Sequence, residues 1–169
     1  FQIALRKLRL LSSKDDGART ELNVTKTIEK TCDRGGRLEL VLERPRKNQT
    51  KLLLLMDSGG SMWAYADLCN RLFQAVNQAS QFKDLKIYYF HNCFYDQLFT
   101  APQCKWEDKV STEWVLHNLK PEYKVIVVGD ATMGPAELLE PGGTLDYDHE
   151  NDKAGIDWIK TLKKRFTSA

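Results

Sequence analysis

An uninterrupted apolar run at residues 52–56, Leu-Leu-Leu-Leu-Met, constrains the fold of this chain more than any other feature. Such a run is typical of a strand that is covered on both faces of a parallel sheet, because a half-covered strand alternates apolar and polar residues. Residues 124–128, Lys-Val-Ile-Val-Val, carry the same signal and predict a second buried strand. Between them, apolar residues recur at three- and four-residue spacing over residues 61–82, which predicts a helix that covers the sheet.

Two further stretches complete the predicted fold. Residues 85–90 read as a strand and residues 94–99 as its antiparallel partner, which together form an edge hairpin. A short helix follows at 112–119, with Trp114, Val115 and Leu119 facing inward, and two more helices are predicted at 134–140 and near the end of the chain. We therefore predict an α/β fold with a doubly wound, mostly parallel central sheet, one antiparallel edge hairpin and helices on both faces.

Length, charge and cysteine content limit the functional classes. A chain of 169 residues has the size of one domain, and 25 Lys and Arg against 23 Asp and Glu offer no long-range attraction to nucleic acid or anionic membranes. No apolar run approaches the roughly 20 residues of a membrane-spanning helix. The four cysteines form no Cys-x-x-Cys pair, which favours reduced thiols and a cytoplasmic location over a disulfide framework or a zinc site.

The chain divides into two regions. Residues 1–34 are predicted to be a helical lead-in, the remnant of an N-terminal region, because apolar residues among basic ones recur at helical spacing near the start. Residues 35–169 are predicted to form the α/β domain. The chain opens with Phe1 rather than Met and lacks the pattern of a secretory signal, so we expect a fragment of a longer protein that is not secreted.

Two acidic motifs follow the two buried strands. Asp-Ser-Gly-Gly-Ser at residues 57–61 leaves the central strand, turns on two glycines and enters a helix. Gly-Asp at residues 129–130 ends the second strand. Ligands of parallel sheets bind beyond the carboxyl ends of the strands, so Asp57 and Asp130 are predicted to face each other there. Carboxylate and hydroxyl oxygens suit Mg²⁺, which prefers octahedral oxygen coordination.

These motifs resemble the metal-ion-dependent adhesion site of von Willebrand factor A (VWA) domains, which has an Asp-x-Ser-x-Ser loop, a later Thr and a later Asp. By this resemblance, Asp57 and Ser61 correspond to the first and last members of the loop and Asp130 to the later Asp. Thr112 corresponds to the Thr, with Ser111 as the alternative. The sequence departs from the pattern at Gly59, where the middle Ser is absent and a water would have to replace its hydroxyl.

More narrowly, the chain resembles the bacterial CoxE-like VWA subgroup, in which a Leu-rich strand runs into Asp-x-Gly-Gly-Ser-Met, as residues 52–62 do here. Tyr-Tyr-Phe-His-Asn at 88–92 and Val-Val-Gly-Asp-Ala at 127–131 are similar to that subgroup as well. The resemblance extends from about Gly35 to the end. Such proteins have a helical N-terminal region and continue further, so the VWA-like domain is predicted to be truncated at its C-terminus.

The resemblance implies a protein-binding module that is not an enzyme. In the family, a bound Mg²⁺, Mn²⁺ or Ca²⁺ keeps one coordination position open, and an Asp or Glu of a protein ligand completes it. A MoxR-type AAA+ ATPase is the implied companion, in assembly or remodelling of protein complexes. Asp57, Ser61, Thr112 and Asp130 are the implied metal ligands.

The same residues allow other interpretations. Asp57 and Ser61 suit the start of a helix, as an acid near the helix dipole and as an N-cap. A haloacid dehalogenase-like phosphohydrolase would use Asp57 as nucleophile, but its general acid two residues later is Gly59 here. A metal-free interaction scaffold with a degenerate site is the remaining alternative. The acids at residues 146–157 approach the spacing of a calcium loop, but Asn151 replaces its glycine, and a solvated loop is favoured.

Overall fold

The computed structural model describes residues 3, 18–44, 50–78, 82–145, 149 and 151–166. Its strands are β1 (Glu21–Leu22), β2 (Leu42–Glu43), β3 (Lys51–Asp57), β4 (Asp84–Phe90), β5 (Gln97–Phe99), β6 (Lys109–Ser111) and β7 (Tyr123–Val128). Its α-helices are α1 (Val24–Asp33), α2 (Ala66–Gln78), α3 (Thr112–Asn118), α4 (Pro135–Leu139) and α5 (Gly155–Phe166). Short 3₁₀ helices span Gly60–Tyr65 and Trp106–Asp108.

The larger sheet has the strand order β6-β5-β4-β3-β7 among the described residues. β3 lies parallel to both β4 and β7, whereas β5 and β6 are antiparallel additions at one edge. Leu52, Leu53 and Leu54 are 0% exposed, as expected for a strand that has neighbours on both sides and helices on both faces. The predicted α/β fold with a mostly parallel sheet and an antiparallel edge hairpin is confirmed.

Alternating side chains of β3 build two cores. Leu53 and Leu55 pack on one face with α3 and α5, through buried residues that include Val115 and Trp158. Residues of opposite parity pack on the other face with α2, in a cluster formed by Leu52, Leu54, Met56, Leu72, Ala75 and Val76. This division follows from the two-residue period of a strand, and it fixes the carboxyl end of β3 between the two helical layers. No helix within the described ranges is long and apolar enough to cross a membrane.

Two predicted burials were wrong. β7 was predicted to be a buried strand, but in the part of the chain that the structure describes it lies at the edge of the sheet with β3 as its neighbour, and Val127 is 50% exposed. Trp114 was expected to face inward, but it is 56% exposed, since Val115 and Leu116 supply the inner face of α3. In both cases local composition gave the element correctly, and tertiary packing decided which surface was covered.

Residues 18–44 form a small unit around α1. In it β2 pairs with β1, and hydroxyls of α1 accept hydrogen bonds from backbone N–H groups of the segment that precedes β2. Thr27 Oγ1 accepts from Val41 N at 3.0 Å, and Thr31 Oγ1 accepts from Glu39 N at 3.2 Å. The helix predicted near the start of the chain, apart from Ile3, and the acidic segment 146–150, apart from His149, lie outside the described residues.

Candidate functional site

Asp57 ends β3 with its carboxylate held in place by backbone groups. The residue is 5% exposed, and its Oδ1 accepts hydrogen bonds from Gly59 N at 2.7 Å and from Asn92 N at 3.0 Å. An ideal Cβ at Gly59 would lie 3.1 Å from Oδ1 and 3.2 Å from Asn92 N, so only glycine fits this turn without displacement. Gly59 stands where the resembled loop has its middle Ser, and the turn at this glycine fixes the orientation of Asp57.

Ser61 and Asp130 meet on the other side of this turn. Asp130 Oδ1 accepts from Thr132 N at 3.1 Å and from Thr132 Oγ1 at 2.9 Å, and Thr132 Oγ1 also lies 3.3 Å from Ser61 Oγ. Hydrogen bonding from the Ser61 hydroxyl, followed by that from Thr132, lowers the pKa of the Asp130 carboxyl. Asp130 is therefore held as a carboxylate between two hydroxyl side chains.

Sheet register brings Asp57 and Asp130 to one edge. Met56 pairs with Val128 in the parallel β3–β7 ladder, so Asp57 and Gly129 are the next residues on adjacent strands. An ideal Cβ at Gly129 would lie 3.2 Å from Asp57 Cβ and 3.3 Å from its Oδ2, which shows how closely the end of β7 passes the carboxylate. Asp130 follows directly. The structure therefore brings three predicted site residues, Asp57, Ser61 and Asp130, to the carboxyl ends of two neighbouring strands.

The structure does not join Thr112 to these three residues by a hydrogen bond. Thr112 opens α3, is 1% exposed and donates its backbone N–H to Asp96 O at 2.8 Å. Its Oγ1 is buried and has no hydrogen-bond partner among the described residues. Ser111, the alternative, caps α3 by accepting from Trp114 N at 3.3 Å. A ligand role for Thr112 stays a prediction, and Ser111 already has a structural role.

Thr132 is a site residue that the sequence interpretation missed. Thr132 contacts both Asp130 and Ser61. Ala131, which lies between Asp130 and Thr132 in the chain, has a left-handed φ of 56° that turns the chain back toward Asp130. Such a conformation is uncommon for alanine, so residue type alone did not reveal the turn. The available signal was Asp-x-Thr directly after a strand, since an Asp side chain often accepts from the backbone two residues later.

A second missed feature is the pair of Asn92 and Glu137. Besides donating its backbone N–H to Asp57, Asn92 donates from Nδ2 to Glu137 Oε2 at 2.6 Å. Glu137 is 3% exposed, and the same oxygen accepts from Gly134 N at 2.7 Å at the start of α4. A buried carboxylate on α4 is thereby connected through one residue to Asp57. The sequence did carry a signal for the contact between Gly134 and Glu137. Their spacing is typical of a helix N-terminus that has an acid at its third position.

The donor atoms of this cluster are oxygens, two from carboxylate side chains and others from hydroxyls. No group of three or more His, Cys, Asp or Glu side chains that could hold a metal is present in the described part of the chain. No ion pair found among the described residues involves Asp57 or Asp130. Two uncompensated carboxylates beside two hydroxyls fit a hard divalent cation that keeps water ligands, such as Mg²⁺, and do not fit a cation that needs nitrogen or sulfur ligands.

Comparison with known proteins identifies the family. The family model described as "VWA domain containing CoxE-like protein" matches residues 2–96, which is more than half of the 169-residue chain. The match includes Asp57, Ser61 and Asn92 and ends before Asp130. No curated protein and no solved structure matches this sequence. The resemblance stated from the sequence is confirmed, and the chain belongs to the family of CoxE-like proteins that contain a VWA domain.

Proposed function

We propose that this chain is a protein-binding module that depends on a divalent cation. Asp57, Ser61 and Asp130 would hold Mg²⁺, with Thr132 as a further hydroxyl at the same position. A carboxylate of a partner protein would complete the coordination. The observation that carries this proposal is the meeting of Ser61, Asp130 and Thr132 beside the carboxylate of Asp57. A bound cation supplies the positive charge that allows an acidic partner to approach two acidic side chains.

The surrounding residues support binding by holding the donor atoms in place. Asp57 Oδ1 is fixed by two backbone N–H groups, and Asp130 Oδ1 by the backbone and hydroxyl of Thr132. Hydrogen bonds of this kind hold ligand side chains in one orientation, so fewer side chains have to become ordered when an ion binds. The proposal includes a cytoplasmic location, which rests on four cysteines without a Cys-x-x-Cys pair. It also includes a MoxR-type AAA+ ATPase as companion, which rests on the family resemblance.

A module of this kind binds and does not catalyse. The rival phosphohydrolase would require an acid two residues after Asp57, and that position is Gly59, whose N–H donates to Asp57. One observation supports the metal-free scaffold. The backbone N–H groups of Gly59 and Asn92 already donate hydrogen bonds to Oδ1 of Asp57. Asp57 would then serve only to close the turn after β3.

Thermal unfolding with EDTA, Mg²⁺, Mn²⁺ or Ca²⁺ tests the proposal. A cation at about 100 times its dissociation constant adds roughly 2.7 kcal/mol of stability, so the midpoint should rise in the parent chain. Asp57→Asn and Asp130→Asn should abolish the rise, whereas Asp33→Asn, the same change at an exposed position on α1, should keep it. No response to any cation in the folded parent would favour the metal-free scaffold. Metal-dependent hydrolysis of para-nitrophenyl phosphate that Asp57→Asn abolishes would favour the phosphohydrolase.

A further inference from the structure

A cleft of about 590 Å³ opens directly beside Asp57. Its volume lies within the range of sites that enclose a small molecule or a few residues of a peptide. Residues 56–60 line it, so the backbone that orients the Asp57 carboxylate is part of the cleft. Ser61, Asp130 and Thr132 are not among its lining residues, so the cleft and the oxygen cluster adjoin each other through Asp57, which belongs to both.

The walls of the cleft are apolar and adaptable. They are formed mainly by Met56, Met62, Trp63, Phe73, Tyr89 and Pro102. Methionine side chains adjust to partners of different shape, and aromatic residues dominate the binding energy of many interfaces. Trp63 lies two residues after Ser61 and is 80% exposed, an unusual exposure for a side chain of this size. This exposed indole at the rim of an apolar cleft indicates a surface that is covered when a partner binds.

Charge excludes some occupants. Among the described residues that line the cleft there is no Lys, Arg or His, and the acid is Asp57. An anionic group in the cleft would therefore meet a carboxylate without a compensating cation. A carboxylate could approach only at the oxygen cluster, where the proposed cation would compensate it. The cleft itself suits an uncharged apolar side chain.

We propose that the cleft receives a large apolar side chain next to the acidic residue that reaches the Asp57–Ser61–Asp130 cluster. The partner is thus a protein segment in which Asp or Glu is adjacent to a residue such as Phe, Leu or Trp. This inference rests on the proposed cation-dependent function and adds a specificity element to it. The acidic residue provides the cation-dependent contact, and the apolar neighbour distinguishes one acidic segment from another.

Three small probes separate the two contacts. N-acetyl-aspartyl-phenylalanine amide carries both groups, N-acetyl-aspartyl-serine amide lacks the apolar side chain, and N-acetyl-asparaginyl-phenylalanine amide lacks the carboxylate. Binding to the whole chain in Mg²⁺ is followed by NMR, through the Trp63 indole and the Met56 and Met62 methyl groups. Burial of a Phe side chain predicts that the aspartyl-phenylalanine probe binds about tenfold more tightly than the aspartyl-serine probe.

A matched pair of variants tests the location. Ala66 and Ala64 are both exposed and lie two residues apart, but only Ala66 lines the cleft. Ala66→Phe should fill the cleft and remove the tenfold advantage of the phenylalanine probe while leaving aspartyl-serine binding unchanged. Ala64→Phe should leave the affinities for the aspartyl-phenylalanine and aspartyl-serine probes unchanged. It is the control for any effect of an added aromatic ring on folding in this region.

The outcomes of these experiments are distinct. Equal binding of the aspartyl-phenylalanine and aspartyl-serine probes, unaffected by Ala66→Phe, would overturn the cleft proposal and leave the cation site intact. Equal binding of the aspartyl and asparaginyl probes, with no change in EDTA, would overturn the carboxylate contact and with it the paired motif. Tighter binding of the aspartyl-phenylalanine probe, lost both in EDTA and in Ala66→Phe, supports both proposals.

Discussion

Asn92 donates its backbone N–H to Asp57 Oδ1 over 3.0 Å and its side-chain amide to Glu137 Oε2 over 2.6 Å. It does so with a left-handed φ of 62°, which exposes both groups in the required directions. Asn92, a single residue in the loop after β4, therefore connects the end of the central strand to the start of α4. The position of Asp57 depends on this connection as well as on its own turn.

Substitution of Asn92 should separate its side-chain bond from its backbone conformation. Asn92→Gly keeps the left-handed φ without strain but removes one donor from the buried Glu137, so we expect a loss of about 1–2 kcal/mol in unfolding free energy. Asn92→Ala removes the same donor, and because alanine tolerates the left-handed conformation less well than asparagine or glycine, it should be about 1 kcal/mol less stable than Asn92→Gly. Urea unfolding of the two variants measures both effects. Parental stability in Asn92→Gly would show that the Asn92–Glu137 bond contributes nothing.

Gly129 should resist substitution because the Asp57 side chain occupies the space beside it. An added Cβ would lie 3.2 Å from Asp57 Cβ, so Gly129→Ala must displace the end of β7 or the carboxylate. We expect a loss of about 1–2 kcal/mol and a weaker response to Mg²⁺. Gly60→Ala is the matched control in the same region, since an added Cβ there meets nothing within 4 Å. Equal stability of the two variants would contradict a close β7–Asp57 contact.

The sequence predicted the strands and the positions of their terminal acids because continuous apolar runs are strong local signals. Asp57 and Asp130 follow such runs directly, so parallel pairing of β3 and β7 was sufficient to bring them to one edge. Thr132 and Asn92 were missed because their contacts depend on left-handed backbone at Ala131 and Asn92. Alanine rarely adopts that conformation and asparagine adopts it only at some positions, so residue type did not predict these two turns.

The remaining errors concern which side of an element is covered. Residues 125–128 are as apolar as an interior strand, yet β7 has one partner among the described strands and exposes Val127. Trp114 is the largest apolar residue of α3, yet its smaller neighbours Val115 and Leu116 face the core. Apolar composition predicts that an element contacts a core, but it does not determine how many neighbours the element has.

Paired substitutions of Thr132 and Thr112 distinguish the contact seen in the structure from the one implied by the family resemblance. Thr132→Val removes the hydroxyl that contacts Asp130 and Ser61 and should reduce the Mg²⁺-induced rise in melting temperature. Thr112→Val replaces a buried hydroxyl that has no partner among the described residues, so the rise should persist and stability should increase by up to about 1 kcal/mol. Loss of the Mg²⁺ response in Thr112→Val alone would instead identify Thr112 as the ligand.

Stability should depend on pH through the hydrogen bond from Tyr123 to Asp84, which spans the start of the sheet. This bond is the first cause of a lowered pKa of the Asp84 carboxyl. A lowered native pKa contributes stability above the ordinary pKa of about 4, and this contribution is lost as pH falls through the native value. Because the Asp84 side chain is 38% exposed, we expect Tyr123→Phe to lose about 1 kcal/mol or less at neutral pH, and less in acid.

Denaturant unfolding between neutral and acid pH measures this difference directly. In an Asp84→Asn background the effect of Tyr123→Phe should not vary with pH, since the titrating partner is absent. A pH dependence that survives in that background would assign it to another group.

Cys93, in the loop after β4, packs directly against Gly155 at the start of α5. An ideal Cβ at Gly155 would lie 2.3 Å from Cys93 Sγ and 3.0 Å from Glu137 O, so Gly155→Ala should lose about 1–3 kcal/mol. Cys93→Ala leaves a small void, but it also removes the atom that obstructs the new methyl group. The double variant should therefore be more stable than the sum of the two single losses predicts. Chemical unfolding of all four proteins gives this coupling energy, and strict additivity would place Gly155 away from Cys93.

Burial, with the nearby Glu137 carboxylate, raises the pKa of the Cys93 thiol to about 11. Ellman's reagent should accordingly modify the exposed Cys32 much faster than Cys93 in the folded chain, and Gly155→Ala should accelerate modification of Cys93 if the contact loosens.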